Sequence, residues 1–281
     1  MANVLPFDKQ VLVVSALAEG ASIRGIERMT GIYRNTIMKL GVRVGEACTK
    51  LMDEEMRELT CSNIEIDELW GFISKKQRNV KEDEAEFAGD VWTYVALDAD
   101  TKLVPCFAAG KRDYETTNQF MHDLASRVKD RVQLSTDGMN QYLNVVEEEF
   151  GAEVDYGQVI KVMSGPQFTP ERKYSQPYVI GITKKSMMGK PDEDRICTSH
   201  VEKQNHTLRM HNRRLTRLTN AFSKKIENFR AALGLSFAYY NYVKIHSAIR
   251  CTPAMAAGVT KKTWEVADLV SLARQSDELH L

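Results

Sequence analysis

The sequence predicts an α/β fold in which a mixed central sheet with flanking helices follows a small all-α unit. Three observations predict it. Up to about Arg57 the apolar residues recur at helical spacing in short runs. Past the acidic stretch Asp53 to Glu58 the period changes, and short apolar segments rich in β-branched and aromatic residues read as strands. Those segments then alternate with helical patterns in the order three strands, helix, strand, helix, strand, which suggests a sheet covered by helices.

In the all-α unit, Val11, Val14, Leu17 and Ala18 form a first stripe, Ile23, Ile26 and Met29 a second, and Ile37, Leu40 and Val44 a third. Gly20 with Ser22, and Thr30 with Gly31, supply the stop and start signals between three short helices. The pattern resembles a helix-turn-helix, with Ser22 to Met29 as support helix and Tyr33 to Arg43 as recognition helix. The recognition helix would display Tyr33, Arg34, Asn35, Thr36, Lys39 and Arg43 to phosphates and base edges. Residues 24 to 50 carry six basic groups against two acidic ones. A plain three-helix bundle with a solvated polar face shares this pattern.

Strands are expected at Asn63 to Ile73, Val91 to Asp98, Leu103 to Ala108 and Val132 to Thr136, with Lys75 to Asp90 as a charged loop. Helices are expected at Thr116 to Val128 and at Gln141 to Phe150, with Val154 to Met163 as a fifth strand. Gly165, Pro166, Pro170 and Pro177 mark residues 164 to 198 as an irregular insertion, with one short hairpin near Tyr178 to Thr183. A long helical region follows from Ser199 to Ile249, broken near Asn220 to Ser223.

The composition is that of a globular chain: 281 residues, 43% hydrophobic and 27% charged, which argues against membrane, collagenous and wholly disordered classes. No window approaches the length of about 18 apolar residues that a spanning helix needs, and MANVLPFDKQ lacks the pattern of a signal peptide. Five widely spaced cysteines contain no Cys-x-x-Cys pair, so reduced thiols in the cytoplasm are the expectation. Thirty-eight basic residues balance thirty-eight acidic ones, yet the charges segregate. Residues 203 to 230 hold eight basic groups (Lys203, Arg209, Arg213, Arg214, Arg217, Lys224, Lys225 and Arg230) and one acid, Glu227. Such a face is a footprint for a phosphate backbone, and the i to i+4 pairing of a solvated surface helix is nearly missing from it.

Three acids stand out. Asp67 lies in the apolar run CSNIEIDELWGFI, where a carboxylate costs desolvation energy that a bound cation would offset. Glu65 and Glu68 compete for that role, and an edge strand with its acids in water is the plainer reading. Asp137 ends the fourth strand, where α/β sheets bind ligands, although Asp-Gly after an apolar run is often only a turn. Glu202 begins the basic helix, with Asn205, His206 and Arg209 on its face, and an N-terminal Glu is favoured there by the helix dipole alone.

The segments IDELWGF, STDGMNQY and SHVEKQNHTLRMHNRRLTRLTNAFSKK resemble the catalytic core of insertion-sequence transposases of the IS1 family, within the DDE group. YYNYVKIHSAIRCTPAMAAG is similar to the endings of such proteins, and the resemblance covers about residues 60 to 258. It implies a ribonuclease-H-like catalytic domain over residues 59–220, containing the insertion 164–198. A helix-turn-helix domain over 1–58 would precede it and a helical region over 221–281 would follow. It implies Asp67, Asp137 and Glu202 as catalytic acids and ligands for Mg²⁺, with Mn²⁺ as a substitute, and Arg209 as an accompanying basic residue. The implied function is a nucleoid-associated transposase that binds terminal inverted repeats and target DNA, cleaves and joins strands, and acts as a homodimer or higher assembly on DNA. Arg34, Asn35, Thr36, Lys39 and Arg43 would contact DNA, with Lys203, Arg213, Arg214, Arg217, Lys224 and Lys225 on the basic helix. A non-catalytic helix-turn-helix regulator and a structure-selective nuclease of the same fold are the competing readings.

Overall fold

The computed structural model describes residues 5–84, 88–164, 178–216 and 219–278. Helix α1 (Phe7–Ala18) buries Val13 and Val14 and turns through Gly20, at φ +80°, into α2 (Ile23–Thr30). The Ser22 hydroxyl accepts the Gly25 amide at 3.0 Å at the start of α2, and Gly31 ends it in the left-handed conformation that favours glycine.

Helix α3 (Arg34–Glu55) runs well past the expected end of the recognition helix at Arg43. The apolar stripe continues through Cys48, Leu51 and Met52, all buried, and gives the extension a face to cover. It is covered by α7 (Ile226–Ala238) and α9 (Val266–Glu278). The crossing with α7 is close: a Cβ on Gly45 would lie 2.0 Å from the Ala231 carbonyl oxygen, and one on Gly234 would lie 2.5 Å from the Gly45 oxygen. One hydrophobic core runs from Val13 to Ala273.

Among the described residues the strands β1 (Asn63–Ile73), β2 (Gly89–Asp98), β3 (Phe107–Gly110), β4 (Val132–Asp137), β5 (Val154–Met163) and β6 (Val179–Met188) form one mixed sheet in the order β3-β2-β1-β4-β5-β6. Strand β1 (Asn63–Ile73) pairs antiparallel with β2 (Gly89–Asp98), which pairs antiparallel with β3 (Phe107–Gly110). On its other side β1 runs parallel to β4 (Val132–Asp137), which runs parallel to β5 (Val154–Met163). Helices α4 (Tyr114–Arg127) and α5 (Gln141–Phe150) pack on each other and lie between strands in the sequence. The Asp113 side chain caps α4 by accepting the Thr116 amide at 2.9 Å, so the helix begins at Tyr114, two residues before the expected start. Helix α6 (Ser199–His211) packs on β1 and β2. No helix among the described residues is long and apolar enough to cross a membrane.

Three expectations are corrected. The third strand forms at Phe107–Gly110 rather than Leu103 to Ala108, because Pro105 has no N–H to give a ladder and the Asn241 side chain takes both polar groups of Val104, at 3.0 and 2.9 Å. The insertion is not irregular throughout: β6 (Val179–Met188) is a ten-residue strand antiparallel to β5. Its side chains are mostly exposed on both faces, so no alternation marked it. Gly165, Pro166, Pro170 and Pro177 lie outside the described residues. Finally, the long helical region is interrupted after α6 at Asn212, whose side chain accepts the Arg214 amide at 3.2 Å, and α7 begins only at Ile226. In that interval the Ser74 amide donates to the Ser223 carbonyl at 2.9 Å, so the connection runs beside the end of β1. After α7 a π-helical turn (Tyr239–Val243) ends the helix before Ile249, and a short α8 (Pro253–Ala256) follows.

Candidate active site

Alternation along β1 sends Glu65 and Asp67 toward α6 and Glu68 toward α5. The contacts follow that division. Asp67 accepts Nδ2 of Asn205, on α6, at 2.8 Å, whereas Glu68 accepts the hydroxyl of Tyr142, on α5.

Burial pushes the Asp67 carboxyl up to about 6; the Asn205 hydrogen bond opposes this, and the charges of Glu202 and Asp137 add to it. Asp67 on β1 is thus within electrostatic reach of both other sequence-predicted acids, Asp137 at the end of β4 and Glu202 in the first turn of α6. Glu202 accepts the Thr198 hydroxyl at 2.5 Å and pairs with Lys161 of β5. Asp137 accepts the Met139 amide at 2.9 Å, and Nη2 of Arg112 approaches it to 3.6 Å.

Three carboxylates offer the hard oxygen donors that Mg²⁺ takes. Asn205 adds a buried Oδ1 with no hydrogen-bond partner among the described residues. Among the described residues the three acids do not bring their oxygens within 4.8 Å of one another as a set. A pair of ions about 3.5 to 4 Å apart is suited to that wider spread. The donor types suit a divalent cation, while their spread keeps the three acids from closing together on a single ion as placed.

The two glutamates beside Asp67 have separate tasks. Glu65, fully buried, accepts the amides of His200 and Val201 at 2.8 and 3.0 Å and so caps α6. Glu68 is buried beneath the site, and burial with the Asp137 charge pushes it up to about 7 against the pull of Tyr142 and Arg112. Arg112 joins the two sides: it bonds Glu68 at 3.0 Å, approaches Asp137, and lies 4.7 Å above the Trp92 ring. Arg112 and Lys161 were not among the expected site residues. Neither belongs to a motif, and only the pairing of distant strands brings them here.

The remaining expected residues divide by exposure. Arg34, Asn35, Thr36 and Lys39 are exposed at the start of α3, beside an exposed Tyr33. Arg43 is half-buried and donates to Gln10 of α1 at 3.2 Å. Arg209 is half-buried two turns beyond Glu202. Lys203, Arg213, Lys224 and Lys225 are exposed, and Arg213 donates to the Gly20 carbonyl at 3.3 Å. Arg214 is largely enclosed, donates to the Ser223 hydroxyl at 3.0 Å, and has its pKa lowered by burial. Arg217 lies outside the described residues.

No protein-family model and no curated protein matches the chain. Among solved structures it is similar to a piggyBac transposase in a synaptic complex with hairpin DNA, with 10% identity and a TM-score of 0.44 over 97% of this chain and 72% of that one.

Proposed function

We propose that the chain is a DNA transposase of the IS1 kind, with a ribonuclease-H-like catalytic core. The observation that carries this reading is that Asp137 and Glu202 both act on the buried Asp67, whose carboxyl burial and these charges raise to about 6. The strand directions support it: three antiparallel strands followed by two parallel ones put an aspartate in the middle of β1 and another at the end of β4.

Asp67, Asp137 and Glu202 would hold Mg²⁺, with Mn²⁺ as a substitute. Bound there, the ion supplies activation of a water or 3′-hydroxyl and stabilisation of the leaving oxygen in an in-line attack on a phosphodiester. Asn205 holds Asp67 in orientation, and Arg112 braces Asp137 against the buried Glu68. Arg209, Lys203, Arg213, Lys224 and Lys225 would hold phosphates along the cleaved strand.

Residues 1–58 would act as a helix-turn-helix that binds the terminal inverted repeats, with Arg34, Asn35, Thr36 and Lys39 presented by the exposed start of α3. Residues 59–220 would perform the chemistry, and 221–281 would brace both through α7 and α9 packed on α3 and through Arg230 of α7, which donates to the Ala109 carbonyl at 3.0 Å. Joining two ends calls for at least two copies on DNA.

The test is a strand-transfer assay with Mg²⁺ and labelled end DNA. Asp137→Asn is expected to abolish cleavage and joining while end binding persists. Joining activity retained in that variant rejects the assignment, and cleavage without joining by the unaltered chain favours a structure-selective nuclease.

A further inference from the structure

We propose that Glu65, Cys197 and His200 form a second metal site, for a single Zn²⁺-like cation, apart from the acids at Asp67. One ligand atom from each of the three lies within 4.8 Å of the other two. A carboxylate oxygen, an imidazole nitrogen and a thiolate sulfur are the donors that a four-coordinate, borderline-soft ion takes, leaving its fourth position to water. Mg²⁺ prefers six oxygens and is poorly served by this set.

The carboxylate is prepared for such a role. Oε2 of Glu65 is occupied by the backbone amides of His200 and Val201, which fix the group from behind as an outer-shell partner would. Oε1 is hydrogen-bonded to Nδ1 of His200 at 2.6 Å. A cation entering here displaces that hydrogen bond and widens the pair, taking one lone pair from Oε1 and one from Nδ1, with the ring proton moved from Nδ1 to Nε2. The third bond forms as the Cys197 thiol releases its proton to solvent. Sγ of Cys197 is held meanwhile by weaker contacts, with the Ser199 hydroxyl at 3.0 Å and the Ser199 amide at 3.3 Å.

Access is open from solvent. The His200 side chain is 46% exposed and Cys197 is half-buried. The thiols of Cys48, Cys61 and Cys106 are buried and pushed up to about 12 or beyond by that burial. Glu65 precedes Asp67 by two residues on β1, and His200 precedes Glu202 by two on α6. An ion here would therefore fasten the two elements that carry those acids and set their spacing.

Co²⁺ titration of the full chain in excess Mg²⁺ tests the site, read by the thiolate-to-cobalt charge-transfer absorption. The band is expected in the unaltered chain and in Cys251→Ser, absent in Cys197→Ser, and shifted to at least tenfold higher Co²⁺ in His200→Ala. Zn²⁺ is expected to raise the Tm of the unaltered chain but not of Cys197→Ser. No band at saturating Co²⁺, or a band that survives Cys197→Ser, overturns the proposal. None of these readouts uses DNA, so the outcome is independent of the transposase reading.

Discussion

Nδ2 of Asn205 donates to Oδ2 of Asp67 at 2.8 Å, a bond from α6 to β1 made three residues after Glu202. It favours the charged form of a carboxylate that burial and two neighbouring acids push toward protonation. Asn205→Ala is therefore expected to raise the Asp67 pKa further and to move the acidic limb of the pH–rate profile for DNA cleavage to higher pH. At pH 7 the loss should be about tenfold or more, as for other groups that orient a metal ligand. A profile whose acidic limb stays in place would show that the bond does not tune Asp67.

The same carboxylate makes stability depend on pH. Its folded value, about 6, lies above the ordinary 3.8, so the folded chain holds this proton more tightly than the unfolded chain does. The resulting stability is full below about pH 4 and is lost as pH rises through 6. Asp67→Asn, which carries no charge, is expected to gain about 2 kcal/mol at pH 7.5 without divalent ions while losing cleavage. Urea unfolding at pH 7.5 checks this, and a lower midpoint for the variant would contradict it.

Arg112→Ala removes the cation that Glu68 and Asp137 share. At pH 5 Glu68 is protonated with or without Arg112, and little stability should be lost. At pH 8.5 the buried carboxylate would be left charged with Tyr142 as its remaining partner, at a cost of about 2 kcal/mol or a compensating rise in its pKa. Denaturation curves at the two pH values should diverge, and equal losses would place the role of Arg112 in its stacking on Trp92.

At Gly45 the backbones of α3 and α7 meet, and a methyl group has no room against the Ala231 carbonyl. Gly45→Ala is expected to destabilise by about 2 kcal/mol or more, since neither helix can withdraw without disturbing the core. One turn earlier, Gly41→Ala meets only the Leu17 methyl at 3.0 Å and should cost far less. Thermal unfolding of the two variants side by side decides the matter.

Exposure separates the basic residues expected at DNA. Arg34→Ala and Lys39→Ala should weaken end binding and reduce the salt dependence of log K by about one unit for each phosphate no longer neutralised. Arg214→Ala should instead lower stability, because its guanidinium is enclosed against Ser223. Filter binding across a salt series distinguishes the two behaviours.

Where a residue's own chemistry decides its structure, the fold was legible. Ser22 and Gly31 bound α2 because a hydroxyl cap and a left-handed glycine act within one turn. Strand β1 and helix α5 formed within their expected limits because their apolar patterns extend along the whole segment. Strand β3 was misplaced because Val104 finds its partner in Asn241, far along the chain. Strand β6 runs beyond the hairpin expected near Tyr178 to Thr183 because a strand exposed on both faces has no alternation to mark its extent.

The division at the site has the same cause. By itself the sequence determined which side chains bear charge, where apolar runs force a carboxylate into the sheet, and that the basic groups segregate. Only the tertiary structure decided that Glu65 caps α6 while Asp67 faces Glu202, that Arg112 and Lys161 hold the outer acids, and that Arg214 is enclosed. Those outcomes depend on distances between residues tens of positions apart, and such distances are set by strand order and helix packing rather than by any local pattern.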